Sequence, residues 1–276
     1  MKLGEVLMQA QDRLAAISDS PRLDAELLLE KVTGLSRSQQ FVRLHDALPP
    51  REVEAFQSLV ARRAKREPVA YLTGEKGFWT LDLKVTPAVL VPRPETELLV
   101  AWALEHLRQQ PQARVTDLGT GSGAIALALA AEYPEAQITA TDLSPEALAV
   151  ARENALRHQL THVRFLEGSW FEPLSGATFE LIVSNPPYIA RGDAHLDALG
   201  HEPLAALTDG ADGLQAIREI VMQAPAHLSP AGWLLIEHGY DQGEAVRSLL
   251  MHNGFTNVET RRDLSGHERA TGGRRS

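Results

Sequence analysis

From residue 113 onward the chain alternates short apolar runs with helical segments, and this alternation restricts the fold more than any other feature. "ARVTDLG" reads as a strand and "GAIALALAAEY" as a helix. "AQITATDL" is the next strand, and "SPEALAVARENALRH" a helix with Ser144 as N-cap and Pro145 at its first position. "HVRFLEG" and "FELIVSN" are further strands, "GLQAIREIVMQAPAHL" a helix, "GWLLIEHG" a strand and "QGEAVRSLLMHNG" a helix. "FTNVETRRD" and "HERATGG" complete the sheet. The pattern predicts an α/β domain: an open, mostly parallel sheet with helices on both faces. Such sheets bind ligands at the carboxyl ends of their strands.

The preceding residues are organised differently. Residues 1–70 read as a small all-helical domain, suited to gripping a partner. Leu3, Val6, Leu7 and Leu14 recur at helical spacing. Ser20, Pro21 and Gly34 bracket a second helix, Ser36 caps another, and one after Pro49-Pro50 carries Val53, Phe56, Leu59 and Val60 on one face. Residues 71–91 read as a β-hairpin linking the two domains, and residues 92–276 as the α/β domain, opened by a helix starting near Pro94. With no cysteine, disulfides, thiolate catalysis and Cys-ligated metals are excluded. The ten histidines show no metal-ligand spacing, so no metal is expected. No apolar h-region or membrane-length run is present, and a cytoplasmic protein without membrane contact is expected. The formal net charge of −9 argues against direct nucleic-acid binding. "RRAKR" at 62–66 is one candidate basic patch, and it also fits the last turn of a helix, where cations complement the dipole.

"VTDLGTGSGAIAL" places Gly119, Thr120, Gly121, Ser122 and Gly123 between the first strand of the alternating region and its helix. Glycines there let a ligand approach the backbone closely, although a tight strand-to-helix turn has the same signature. Asp142 ends the next strand and is placed to accept hydrogen bonds from both hydroxyls of a ribose. That favours a nucleoside cofactor, and NAD and S-adenosylmethionine share the feature. Asp117, just before the loop, either accepts from an ammonium group, which S-adenosylmethionine has and NAD lacks, or satisfies loop N–H groups.

"LIVSNPPYIA" (181–190) leaves a later strand with Asn185, Pro186, Pro187 and Tyr188. The two prolines remove backbone donors and Pro186 biases Asn185 towards an extended backbone. What remains is an acceptor pair, the Asn185 side-chain oxygen and the Pro186 carbonyl, matched to the two hydrogens of a planar NH₂ group. Holding both hydrogens pins the nitrogen and disfavours delocalisation of its lone pair. Tyr188 can pack against that group and against a sulfonium methyl. A rigid proline turn with Tyr188 as core filling is the structural alternative.

"DLGTGSG", the acidic residue after the next strand, and "NPPY" together resemble a class I S-adenosylmethionine-dependent methyltransferase acting on a planar nitrogen. "YLTGEKGFWTLDLKVTPAVLVPRPETELLV" (71–100), "EPLAALTDGADGL" (202–214), "IEHGYDQGEAV" (236–246) and "RRDLSGHERATGG" (261–273) resemble the peptide chain release factor glutamine methyltransferases. The resemblance implies a Rossmann-like domain with a mostly parallel seven-stranded sheet. It implies S-adenosylmethionine as methyl donor, and as substrate the glutamine of the Gly-Gly-Gln motif of class I release factors, in support of translation termination. Cofactor contacts carry over to Gly119 through Gly123, Asp142, Trp170 and Asn185, with Asp117 beside them and Trp170 along the adenine. Substrate contacts carry over to Asn185, Pro186, Pro187 and Tyr188, of which Asn185, Pro186 and Tyr188 are the catalytic set. In "PRPETE", Arg93, Glu95 and Glu97 organise the flank of the site, or Glu95 and Glu97 serve as first-turn dipole partners. His201 and His238 lie near these loops and receive no role. A monomer is expected.

Other readings predict other features. A nucleic-acid amino-methyltransferase calls for a basic face or an inserted recognition module, and neither is evident. A methyltransferase for a glutamine on a ribosomal protein would share the catalytic residues. A non-catalytic cofactor sensor has no use for acceptors aimed at an amide. A nicotinamide oxidoreductase leaves NPPY unexplained.

Overall fold

The computed structural model describes all 276 residues, which form two units, Met1–Glu75 and Lys76–Ser276. The first is helical: α1 (Leu3–Leu14), α2 (Pro21–Thr33), α3 (Arg37–Val42), α4 (Pro50–Arg63) and α5 (Val69–Thr73). Local chemistry sets the ends. Pro21 opens α2 and Gly34 closes it, its N–H donating to the Glu30 carbonyl. Ser36 and Gln39 form a reciprocal capping box on α3. Leu3, Leu7, Leu14, Leu28, Leu29, Phe56 and Val60 make the core of this unit. Arg62 and Arg63 of the basic cluster are bound to Glu67 and Asp24, so these two cations serve the end of α4 rather than presenting a free patch.

A hairpin follows, β1 (Glu75–Phe78) and β2 (Leu81–Lys84), and all of it after Glu75 belongs to the second unit. This hairpin is shorter than the 71–91 expected from sequence, because α5 occupies Val69–Thr73. Phe78, Leu81 and Leu83 are buried in the core of the larger unit. After a 3₁₀ turn (Pro94–Thr96) come α6 (Glu97–Leu107), β3 (Arg114–Leu118), α7 (Ala124–Glu132), β4 (Gln137–Asp142), α8 (Pro145–Arg157), β5 (Arg164–Glu167) and β6 (Phe179–Ser184). Two single-turn helices, α9 (His195–Ala198) and α10 (Leu204–Leu207), precede α11 (Gln215–His227), β7 (Leu228–Glu237), α12 (Gly243–His252), β8 (Phe255–Arg262) and β9 (Glu268–Arg275).

The seven strands run in the order β5-β4-β3-β6-β7-β9-β8, parallel except for β9, which is antiparallel to both neighbours. Alternate residues feed opposite faces. Leu181, Val183 and Leu235 enter a core with α6 and α7, whereas Ile182, Leu234 and Ile236 enter one with α11 and α12. α7 is buried along Ala124–Ala130, in keeping with its unbroken run of alanine, leucine and isoleucine. The chain steps outward from β3 to β4 and β5, then returns to β6 on the other side of β3. The sheet therefore reverses between β3 and β6, where a ligand crevice opens.

Candidate active site

Register brings the sequence motifs to one edge. Leu118 pairs with Thr141 on one side and with Ser184 on the other, so Gly119, Asp142 and Asn185 are the next residues out of three adjacent strands. The Ser184 hydroxyl donates to the Leu118 carbonyl at 2.8 Å, tying the ends of β3 and β6 together. A cavity of about 390 Å³ lies over this edge, within the range of small-molecule sites. Gly119, Gly121, Asp142, Leu143, Trp170, Asn185 and Pro187 are among the residues that line it.

Only alternate members of the glycine loop face the cavity. Gly119 has φ +73°, and a Cβ there would stand 3.1 Å from the Trp170 ring. Thr120 and Ser122, expected to touch cofactor, are 6% and 3% exposed and do not line the cavity. The Thr120 hydroxyl donates to Asp117 Oδ2 at 2.6 Å, and the Ser122 carbonyl accepts from Asn154 Nδ2 at 2.9 Å. Gly123 also lies off the cavity, its Cα position facing Leu127 and Ala151. The tight turn sends these residues inward as it delivers Gly119 and Gly121 outward.

Asp117 likewise differs from the ammonium-binding expectation. It is completely buried, off the cavity, and its Oδ2 also accepts from the Ala126 N–H at 3.2 Å. Strand alternation explains this: Asp117 shares a face with Val115, which looks into the core against α7. Oδ1 has no partner, and burial pushes the carboxyl up to about 7 despite its two donors. Its ordinary value is 3.8, so between roughly pH 4 and 7 the unfolded chain is ionised at this residue while the folded chain is protonated. Folding then takes up a proton, and stability falls as pH rises through that window. Urea unfolding followed by tryptophan fluorescence reports the larger unit, because all four tryptophans belong to it. Between pH 5 and 8 Asp117→Asn is expected to lose roughly 2–3 kcal/mol less stability than the wild type. Equal losses would contradict the assignment.

Asp142 is part-exposed at the cavity. Its Oδ2 accepts from the Gly121 N–H at 2.8 Å and its Oδ1 from the Ser144 N–H at 2.9 Å. Burial raises its pKa, and these backbone donors oppose the shift. Each oxygen keeps a second lone pair for a ligand hydroxyl. Trp170 adopts φ +42°, an uncommon conformation for a non-glycine residue. The Thr141 hydroxyl holds its carbonyl at 3.0 Å and Glu219 accepts from its indole N–H at 3.2 Å. The ring packs over Gly119 as one wall, with Leu143, Ala147 and Ala206 as other apolar lining. An acceptor pair, glycine backbone and an apolar slot fit an adenosine moiety.

In the proline loop Asn185 and Pro187 line the cavity, while Pro186 is buried. Asn185 Nδ2 donates to the Thr96 hydroxyl oxygen at 3.1 Å, which fixes the amide with its Oδ1 on the opposite side. Tyr188 is not part of the cavity wall: its ring packs against the core on the α11 face and its hydroxyl donates to Glu237 Oε1 over a long 3.4 Å. Burial and the Glu237 charge push the phenol pKa up, so it stays a donor. Gln242 Nε2 donates to the Tyr188 carbonyl at 3.0 Å and pins the loop from α12's N-terminal side. His238 is fully buried, its ring nitrogens bonded to the Gly239 carbonyl and the Thr271 hydroxyl.

In "PRPETE", Glu95 and Glu97 fall in the first turns of the 3₁₀ turn and of α6. Glu97 accepts from the Trp79 N–H at 2.9 Å, and Arg93 pairs with Glu202, which also accepts from the Val91 N–H at 3.0 Å. Glu202 thus joins residues 91–93 to the 202–206 segment, and both run beside the cavity. The segment's contact with Asn185 comes from Thr96, which sequence reasoning passed over. Glu237 and Gln242 were missed as well. Glu237 was readable by the rule that found Asp142, an acid ending a buried strand at the ligand edge.

Residues 5–74 match the PrmC N-terminal domain family and residues 96–206 the methyltransferase small domain family. A release factor glutamine methyltransferase of Xylella fastidiosa (strain Temecula1) is 52% identical over 262 residues, covering 94% of this chain and 95% of the relative. One of Coxiella burnetii is 46% identical over 275 residues, covering 100% of this chain and 99% of the relative. Among solved structures, a methyltransferase of Pyrococcus furiosus superposes with a TM-score of 0.53 at 19% identity, covering 78% of this chain and 97% of that one, a likeness of fold. With identities of 46% and 52% sustained over nearly its whole length, the chain belongs to the release factor glutamine methyltransferase family.

Proposed function

We propose that this protein methylates the side-chain amide nitrogen of the glutamine in the Gly-Gly-Gln motif of class I peptide chain release factors, using S-adenosylmethionine. The observation that carries the reading is the Asn185 amide, held by Thr96 with its oxygen on the far side, in a doubly proline-restricted loop that lines the same cavity as Gly119, Asp142 and Trp170. Gly119, Gly121, Asp142 and Trp170 would hold the cofactor, which supplies a methyl group already activated on a sulfonium. Asn185 Oδ1 and the Pro186 carbonyl accept the two hydrogens of the substrate NH₂ and turn its lone pair towards that methyl. The amide nitrogen is a poor nucleophile, and well-oriented reactants gain roughly 7–11 kcal/mol. Acceptors aimed at the positive charge developing on nitrogen add an electrostatic contribution. Carbon–sulfur cleavage accompanies carbon–nitrogen formation, and one amide proton leaves to solvent. The helical unit is the proposed docking element, since a three-residue motif cannot by itself select one glutamine. No helix is long and apolar enough to cross a membrane, and translation factors place the work in the cytoplasm.

Peptide mass spectrometry tests the reading. A class I release factor incubated with the protein and S-adenosylmethionine is expected to gain one methyl mass on the Gly-Gly-Gln glutamine. No gain, with cofactor binding confirmed by calorimetry, would reject this substrate.

A further inference from the structure

Segments 202–214 and 236–246 meet at the far end of the NPPY loop. Gly213 is buried with φ +80°, and a Cβ there would overlap the Tyr188 carbonyl oxygen and stand 3.1 Å from the Ala190 nitrogen. Asp209 presets its place: Oδ1 accepts from the Ala211 and Gly213 N–H groups at 2.8 and 3.1 Å, and Oδ2 from the Gln215 N–H at 2.7 Å. One side chain then ties the segments together. Gln242 Nε2 donates to the Tyr188 carbonyl at 3.0 Å and to the Gly213 carbonyl at 3.2 Å, and Gln242 Oε1 accepts from the Gly239 N–H at 2.8 Å. Both hydrogens of the amide and its oxygen are engaged, so its orientation is fixed.

We infer that Gln242 is a positioning residue for methyl transfer: by holding the Tyr188 carbonyl beside Gly213, it fixes the aim of the Pro186 carbonyl at the substrate amide. The Asn185 end of the loop is tied down by β6 and by the Ser184 hydroxyl on the Leu118 carbonyl. Within the loop, the two proline rings lock φ at about −65°. The Pro186 carbonyl lies in the peptide plane joining the two prolines. With φ of Pro187 locked, that plane cannot flip by itself; it turns only if Pro187 and Tyr188 turn with it. A hold on the Tyr188 carbonyl therefore holds the Pro186 carbonyl, and the Ile189 N–H, bonded to the Leu207 carbonyl at 3.0 Å, secures the chain just beyond. Thr96 fixes the Asn185 amide separately. The two acceptors thus have separate supports, and Gln242 serves the second. This inference rests on the reading of the Pro186 carbonyl as acceptor for the substrate amide.

Gln242→Glu keeps the acceptor for Gly239 and turns an oxygen, instead of the NH₂, towards two carbonyls. It is expected to lower kcat about tenfold or more, with KM for the release factor and S-adenosylmethionine affinity within about threefold of wild type. Rates are taken per cofactor-binding site counted by calorimetry, so that lost folded protein does not register as lost rate. Gln242→Met keeps the length of the side chain, drops all three hydrogen bonds, and should match the Glu variant. In either variant, kcat within about twofold of wild type, or a raised KM at unchanged kcat, overturns the inference. Hydrogen exchange gives a readout without turnover. The Ile189 and Arg191 N–H groups are bonded to the Leu207 and Ala211 carbonyls, and exchange over residues 188–191 should quicken in both variants by about fivefold or more. Unchanged exchange overturns the clamp. If wild-type protein leaves the release factor unmethylated while exchange quickens in the variants, the substrate assignment fails and the clamp stands.

Discussion

Asn185→Ala is expected to lower methyl transfer to the release factor by about 10²–10³-fold, the usual cost of removing one preorganised group that meets developing charge. The protein should stay folded and bind S-adenosylmethionine with affinity within about tenfold of wild type. Asn185 follows the end of β6, partly exposed, and its side chain makes one protein hydrogen bond, to Thr96. Losing that bond costs about 1 kcal/mol of stability. The cavity is also lined by Gly119, Asp142 and Trp170, which the substitution leaves in place. What disappears is one of two acceptors for the substrate NH₂. The remaining Pro186 carbonyl holds one hydrogen and leaves the nitrogen free to rotate about that bond, with its lone pair conjugated into the carbonyl. Single-turnover transfer of labelled methyl, alongside calorimetric cofactor binding and circular dichroism, separates these effects. Turnover near wild type would sink the mechanism; lost cofactor binding would mean that Asn185 builds the slot.

Much of this site was legible in the sequence, and the illegible part has a common cause. Strand–helix alternation from residue 113 located seven strands, and the ends of three of them delivered Gly119, Asp142 and Asn185. Ser144 and Pro145 set the start of α8 as their local chemistry dictates. Asp117 was open between ligand and anchor, and strand alternation decides it, because Asp117 points the same way as core-facing Val115. The groups that orient the site came from elsewhere. Thr96 meets Asn185 across 89 residues, Glu202 meets the Val91 N–H across 111, and Gln242 meets the Tyr188 carbonyl across 54. Such partners carry no local signature, since a threonine in a proline-rich turn or a glutamine before a helix has many uses. The single-turn helices α9 and α10 and the bridge between Ile189 and Thr208 also escaped, being too short to show periodicity. Within α11, Pro225 falls in the last turn, and β7 starts directly at Leu228, several residues before the expected "GWLLIEHG".

Asp142→Asn is expected to weaken S-adenosylmethionine binding by about 10–150-fold, the range of one charge-assisted hydrogen bond. The substitution is nearly isosteric, so its effect comes from hydrogen-bond polarity rather than volume. Both carboxylate oxygens already accept backbone N–H groups, Gly121 at Oδ2 and Ser144 at Oδ1. An asparagine must place its NH₂ against one of them, donor facing donor. If it faces Gly121, the glycine loop shifts away from the ligand. If it faces Ser144, the entry to α8 loosens, where Ser144 also caps the Ala147 N–H at 3.1 Å. In either orientation one of the two acceptors for the ribose hydroxyls is lost. Because the wild-type carboxylate is raised in pKa by burial, protonation mimics the substitution as pH falls. Cofactor affinity of the wild type should therefore weaken on acidification, while that of Asp142→Asn stays comparatively flat. Calorimetric titration at several pH values reads both effects. Wild-type affinity in Asp142→Asn would remove Asp142 from the site, and parallel pH profiles would assign the titration to another group.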